Sequence, residues 1–148
     1  MKISRPRTVA AAVIAAGAIA AAGPVQSALA FISPPLVLLA APLSPAALVA
    51  RGAAVDVPVT YTCAADYMYI QVVLTEKVGK KIASGGSFLP VTCNGTTQRT
   101  ILRVTASPGG AAFTKGQASA STYVSGGISK NGRFYYGEDL TQSVINLK

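Results

Sequence analysis

The feature that most constrains this chain is an alternation of apolar and polar residues with a period of two, which begins near residue 53. Every second residue of the first such segment is apolar or a cysteine: Val55, Val57, Val59, Tyr61 and Cys63. Successive side chains of a β-strand point to opposite faces, so this pattern predicts a strand with one buried face. Pro58 has no backbone donor, which favours an edge strand or a bulge there.

The same period continues along the chain. Residues 67–78 predict a second strand whose buried side chains are Met68, Ile70, Val72 and Leu74. Further strands are predicted at 82–83, 89–93, 98–106, 117–124, 128–136 and 140–147. Turns are predicted at Gly79, 84–87, Asn94-Gly95, 108–110, 115–116, Gly126-Gly127 and Asn131-Gly132. About six to eight short strands without a convincing helix predict an all-β antiparallel sandwich or barrel.

The chain has two cysteines, Cys63 and Cys93. In an exported protein two cysteines are expected to pair, because the compartment is oxidising. The bond would close a loop of about 31 residues, which the chain-entropy treatment converts to about 3–4 kcal/mol of stability. For one small domain this is a large share of the total free energy of unfolding.

Residues 1–30 have the pattern of a secretory signal peptide. Lys2, Arg5 and Arg7 form a basic start, and residues 9–22 are apolar. Residues 28–30 form an Ala-x-Ala cleavage site, and a second possible cut follows Ala22. An uncleaved membrane anchor is the alternative, but the apolar run is too short to span a bilayer comfortably. We therefore expect a secreted protein.

A second apolar run covers residues 36–50. Four prolines lie in or next to it, at positions 34, 35, 42 and 45. Proline removes a backbone donor and clashes inside a helix, so no continuous span is expected. We interpret residues 31–52 as an extended, poorly ordered Pro/Ala-rich leader and residues 53–148 as the domain. No stable membrane span is expected after processing.

The chain is basic, with 13 Lys and Arg against 5 Asp and Glu. Without the three basic residues of the signal peptide, ten basic and five acidic residues leave a charge of +5. Such a surface favours loose association with anionic polymers, although it serves solubility equally well. We expect no specific nucleic-acid binding, and an anionic or glycan surface component is the partner class that the composition allows.

The residue types for common catalysis are scarce. The chain has no histidine, which is the commonest general base and metal ligand. Its five carboxylates are Asp56, Asp66, Glu76, Glu138 and Asp139. A hydrolase would need two of them to converge, and a calcium site would need a ligand spacing that the loops near Asp66 and 138–139 lack. We expect no enzyme activity, no metal and no cofactor.

The segments VDVPVTYTC, VVLTEKVGKKIASG, VTCNG, RVTA and FTKGQASAS occur in this order between residues 55 and 121. The layout resembles the immunoglobulin-like sandwich. These segments are similar to a family of small exported actinomycete domains of unassigned function, over roughly residues 48–148. The resemblance implies export and an immunoglobulin-like sandwich of about seven strands, and it supplies no active residues. The chain departs from antibody-type domains because it has no tryptophan to pack on the disulfide.

Aromatic and basic residues give the one suggestive surface pattern. Tyrosine with lysine or arginine can stack on sugars or bases and hold phosphates. The candidate ligand contacts are Tyr67, Tyr69, Lys77, Lys80, Lys81, Lys130, Arg133 and Tyr135. In the other interpretation, Tyr67 and Tyr69 only stiffen a solvent-facing strand. The sequence favours a secreted non-catalytic binding module; the alternatives are a self-associating structural protein, an exported hydrolase and a small-ligand carrier.

Overall fold

The computed structural model describes residues 36–148. The predicted signal peptide and residues 31–35 of the predicted leader lie outside the described residues. The described residues form eight strands and one short 3-10 helix at Ala50–Gly52. The strands are β1 (Val37–Pro42), β2 (Ala47–Val49), β3 (Ala54–Ala64), β4 (Tyr67–Val78), β5 (Lys81–Val91), β6 (Thr97–Ala106), β7 (Gly116–Lys130) and β8 (Arg133–Leu147).

The strands form an antiparallel β-sandwich, which confirms the predicted all-β class. The strands are hydrogen-bonded in the continuous order β1-β3-β6-β5-β4-β7-β8, with β2 beside β3. The first layer, here called the first sheet, contains β1, β2, β3 and β6, and the second sheet contains β5, β4, β7 and β8. The two sheets are joined where β5 and β6 pair over two residues, Gly85 and Gly86 opposite Ala106 and Thr105. No helix among residues 36–148 is long and apolar enough to cross a membrane.

The core lies between the inner faces of the two sheets. Alternate residues of β3 are fully buried, as the period-two pattern predicts, and so are alternate residues of β4. The residues with no exposed surface include Val55, Val57, Val59, Ile70, Val72 and Leu74. Each fully buried aliphatic side chain contributes about 1.5–3 kcal/mol relative to an exposed one, so this double row stabilises the contact between the sheets.

The prediction of a poorly ordered leader differs from the structure at residues 36–52. This segment carries β1 and β2, which both pair with β3. The pairing runs from Val37 opposite Ala64 to Pro42 opposite Val59. Prolines exclude a helix here but are tolerated at the end of an edge strand, where no ladder donor is needed. The sandwich therefore begins before residue 53.

The predicted turns at 84–87 and at Gly126-Gly127 are wrong, because both segments lie inside strands. A side chain at Gly85 would overlap the carbonyl oxygen of Thr105 in β6. A side chain at Gly126 would lie 2.9 Å from the side chain of Leu38. Glycine is needed at these positions because another chain segment approaches closely, which is a second common use of glycine within strands.

Other turns are confirmed. Asn131 and Gly132 have positive φ angles of 52° and 73°, and they join β7 to β8 as a two-residue hairpin. This is the conformation that Asn-Gly pairs favour. The strand after this turn is longer than predicted, since residues 133–147 form β8 without interruption. The predicted disulfide between Cys63 and Cys93 is also confirmed.

Glu76, one of the five carboxylates, is buried. Its side chain is 5% exposed. It accepts hydrogen bonds from the backbone N–H of Thr114 at 2.9 Å and from the Thr114 hydroxyl at 2.6 Å. Thr114 lies in the connection from β6 to β7, so Glu76 fixes this connection to the end of β4.

We expect Glu76→Ala to lower the free energy of unfolding by about 2 kcal/mol, because it leaves both Thr114 donors without their acceptor. Glu76→Gln keeps one acceptor oxygen and should lose less. The neighbouring Lys77 is exposed, and Lys77→Ala is a matched control with an expected change within about 0.5 kcal/mol. Urea unfolding curves measure all three variants. A Glu76→Ala midpoint equal to that of Lys77→Ala would contradict the anchoring role.

Candidate binding surface

Tyr67 and Tyr69 begin the candidate site. They lie on the outer face of β4 because the intervening Met68 points into the core. Their side chains are 37% and 43% exposed. The two ring centroids are 5.8 Å apart and the rings meet edge to face at 60°. This strip agrees with the position that the alternation predicted for the two tyrosines.

The strand register extends this strip across the second sheet. Gly127 of β7 pairs with Tyr67 on one side and with Tyr136 of β8 on the other. At the next outward position, Ser125 pairs with both Tyr69 and Glu138. Residues directly opposite each other in a sheet share a face. Aromatic and acidic side chains from β8 therefore stand beside the β4 tyrosines.

Phe134 fills the space above Gly127. A side chain at Gly127 would overlap the Phe134 ring, so this ring lies against the bare backbone of β7. The ring is nearly parallel to the ring of Tyr67, with an interplanar angle of 9° and a centroid distance of 6.3 Å. Because Gly127 has no side chain, Phe134 of β8 can lie beside Tyr67 and Tyr69 of β4, and the three rings form a continuous surface.

Glu138 organises the hydroxyl groups of this surface. Its Oε2 atom accepts a hydrogen bond from the Tyr123 hydroxyl at 2.6 Å and a longer one from Tyr136 at 3.3 Å. The bond to Glu138 raises the pKa of the Tyr123 hydroxyl well above its ordinary value. Among residues 36–148 no side chain donates to the Oε1 atom of Glu138. We call Tyr67, Tyr69, Tyr123, Phe134, Tyr136 and Glu138 the aromatic face.

Three of the predicted contact residues lie on the other side of this sheet, at or near the β7–β8 hairpin. Tyr135 is half-buried, because it alternates with Phe134 and Tyr136 and points to the other side of the sheet. Lys130 and Arg133 pair across the β7–β8 hairpin, next to Phe134. Because Arg133 alternates with Phe134 as Tyr135 does, and Lys130 is opposite Arg133, both side chains belong to the other side of the sheet.

The other three basic residues lie far from it. Lys77 lies next to the last residue of β4, Lys80 lies in the turn that follows, and Lys81 begins β5. Tyr67 and Lys77 are separated by ten residues of one strand, which is roughly 33 Å at 3.3 Å per residue. The two basic clusters therefore lie at two different turns, at opposite ends of the sheet.

Sequence reasoning missed Tyr123, Phe134, Tyr136 and Glu138. The β7–β8 part of this face could have been predicted, because the Asn131-Gly132 hairpin fixes which residues of β7 and β8 are opposite each other. The pairing of β4 with β7 was not available from the sequence, since the two strands are separated by β5 and β6.

A shallow cavity of about 230 Å³ lies between β1 and β8. It is smaller than the roughly 300–1,000 Å³ of ligand pockets. Its lining residues are Leu39, Ala40, Ala41, Thr60, Tyr61, Thr62, Thr97, Asp139 and Thr141. Asp139 is the single carboxylate among them, so this cavity lacks the acidic pair that a glycosidase-type hydrolase requires.

The carboxylates elsewhere have other partners. Asp56 accepts two hydrogen bonds from Arg103, at 2.7 and 2.8 Å, and this contact lowers the pKa of Asp56. Asp66 accepts a hydrogen bond from the backbone N–H of Ser129 at 2.7 Å. Within residues 36–148, no three acidic, cysteine or histidine side chains come together as a metal-binding group.

No protein-family model matches this chain, and no curated protein is similar to it. Among solved structures, the fold is similar to that of AggA, the major subunit of aggregative adherence fimbriae type I from Escherichia coli. The two chains are 9% identical, and the likeness covers 76% of this chain and 95% of AggA with a TM-score of 0.45.

Proposed function

We propose that this chain is an exported, non-catalytic binding module that holds a cell-surface or extracellular ligand on its aromatic face. The observation that supports the proposal is the set of exposed rings on one sheet face, with Phe134 and Tyr136 58% and 50% exposed beside Tyr67 and Tyr69. A contiguous exposed apolar patch on a soluble protein commonly marks an interaction site. Rings also lose little conformational freedom on binding, so they make efficient contacts.

Two further observations support an extracellular location. The Cys63–Cys93 bond is of the kind that persists in oxidising compartments. The resemblance to small exported actinomycete domains points the same way, and membership in that family is part of this proposal. The signal peptide at residues 1–30 is the route by which we propose the chain leaves the cytoplasm.

Co-sedimentation with washed bacterial cell envelopes tests the proposal. The full chain, produced with export into an oxidising compartment, is expected to sediment with the envelopes. Tyr69→Ala and Tyr136→Ala should each weaken this binding by about tenfold, because each removes one ring from the contact surface. The fluorescence of labelled protein that stays in the supernatant gives the unbound fraction, and the bound fraction follows by difference.

Ile101→Ala is the matched control. Ile101 is 65% exposed, but it lies on β6 in the first sheet, on the opposite outer face of the sandwich. Its replacement should leave envelope binding unchanged. Equal binding by all variants would move the contact away from the aromatic face, and no binding by the wild-type chain would contradict the proposed function.

Self-association through β8 is a second candidate function, and the open edge of this strand favours it. The backbone N–H of Asn146 donates to the Ser44 hydroxyl, and its carbonyl accepts from Ala46. Even-numbered residues of β8 therefore direct their backbone groups away from β7. From Phe134 to Val144 these groups have no backbone partner among residues 36–148.

The side chains along this edge agree with a docking role. Leu140 and Val144 are 60% and 66% exposed, and the part of β8 from Leu140 to Leu147 carries no charged side chain to discourage pairing. A long, exposed, apolar edge strand is a template for a second strand. A chain that stays monomeric in sedimentation velocity at high concentration would contradict self-association, and it would leave ligand binding by the aromatic face intact.

A further inference from the structure

We propose that the ligand of the aromatic face is a neutral polysaccharide, an inference that rests on the proposed function. Three properties of the face carry it: exposed rings grouped on one face of a sheet, a carboxylate oxygen among them that accepts no hydrogen bond from a side chain of residues 36–148, and a carboxylate without a salt-bridge partner there. Each property is common by itself. Together they fit a chain with apolar C–H faces, many hydroxyl groups and no charge.

The rings supply the stacking surface. Phe134 lies against the backbone at Gly127 and is nearly parallel to Tyr67. The face of an aromatic ring carries partial negative charge, so it attracts the partially positive C–H groups on the flat side of a sugar ring. Because the rings belong to neighbouring strands of one sheet, they can contact successive units of an extended chain.

Glu138 supplies the hydrogen-bond acceptor. Both tyrosine hydroxyls bond to its Oε2 atom, which leaves the lone pairs of Oε1 available for a ligand. The tyrosines also hold the carboxylate in place next to the rings. A sugar hydroxyl is a donor of the right type, and its bond to a carboxylate would be charge-assisted.

The charge of Glu138 selects the ligand class. Among residues 36–148, the salt bridge joins Arg103 to Asp56 on the other sheet. Glu138 therefore has no basic side chain of these residues within salt-bridge distance. An anionic chain on the rings would meet this negative charge without compensation. Of the two partner classes that the composition allows, the aromatic face therefore favours the neutral glycan over the anionic polymer.

Affinity gel electrophoresis tests the inference. The full chain is run through gels that contain hydroxyethylcellulose or galactomannan as neutral probes, and alginate or hyaluronan as anionic probes. We expect at least one neutral probe to retard the wild-type chain and the anionic probes not to. Phe134→Ala should weaken the neutral interaction by about tenfold or more, as the loss of one stacked ring does.

Glu138→Gln gives a readout that a merely structural role would not produce. It should weaken binding to the neutral probe by about tenfold, because a charge-assisted bond is lost. It should at the same time increase retardation by the anionic probes, because the repelling charge is gone. Ile101→Ala, on the opposite outer face, should match the wild-type chain with every probe.

The outcomes separate this inference from the proposed function. Preferential retardation by alginate or hyaluronan would overturn the neutral-glycan inference and leave a binding module. Envelope binding without retardation by any of the four polysaccharides would also overturn it, and would indicate a protein partner. The absence of both envelope binding and retardation would overturn the inference and the proposed function together.

Discussion

Replacing Cys63 and Cys93 together by alanine is expected to lower the free energy of unfolding by about 3–4 kcal/mol. Cys63 lies at the end of β3 in the first sheet, and Cys93 follows β5 in the second. The bond therefore connects the two sheets and encloses β4 and β5 in a closed loop of the unfolded chain. Without it the unfolded chain gains conformational freedom, and the folded state loses a buried contact, since Cys63 has no exposed surface.

Urea unfolding of the oxidised wild-type chain and of the double variant measures this loss, and thermal unfolding should show a decrease in Tm of roughly 10–25 °C. Reducing the wild-type chain with a thiol reagent should reproduce most of the effect. The double variant has no disulfide and should not respond to the reagent, so it is the control for effects of the reagent on other parts of the protein. Equal midpoints for the oxidised wild-type chain and the double variant would show that the bond contributes nothing.

Replacing Gly85 by alanine is expected to destabilise the sandwich by about 3 kcal/mol or more. The new methyl group would overlap the carbonyl oxygen of Thr105 in the neighbouring β6. A backbone atom cannot move aside as a flexible side chain can, so β5 and β6 would have to separate. They pair at this point over two residues, so the substitution acts on the junction between the sheets.

The adjacent Gly86 provides the matched control. A methyl group there would have the Val73 side chain as its nearest neighbour, at 3.5 Å, which is ordinary van der Waals contact. Gly86→Ala should therefore change the free energy of unfolding by no more than about 1 kcal/mol, with stabilisation as the favoured direction because the unfolded chain becomes less flexible. Urea unfolding of both variants measures the difference. Similar losses at the two positions would show that the close approach of β6 does not control stability.

Local periodicity predicted the interior strands well. The alternation at 55–63 and at 67–78 identified β3 and β4 and the faces that they bury. The Asn131-Gly132 hairpin was also predicted correctly, because its conformation depends on the two turn residues themselves. The pairing of the two cysteines followed from their number and the expected compartment.

The candidate site could be predicted only in part. Tyr67 and Tyr69 belong to one strand, so their shared exposed face follows from their spacing alone. The aromatic face needs β4, β7 and β8 side by side, and this order comes from pairings between segments that are distant in the sequence. The sequence placed the basic residues at two separate turns, but that these turns lie at opposite ends of the sheet follows from the length of β4 and its pairing with β7.

The sequence by itself determined the all-β class, the buried faces of the interior strands, the tight turns and the disulfide. Only the tertiary structure decided that residues 37–42 form an edge strand, that Gly85 and Gly127 serve close approach instead of a turn, and that Phe134 rests beside Tyr67. The physical reason is the range of each interaction. Side-chain alternation and turn geometry act between neighbours in the chain, whereas a glycine's role and a strand's partners depend on what the rest of the fold places against them.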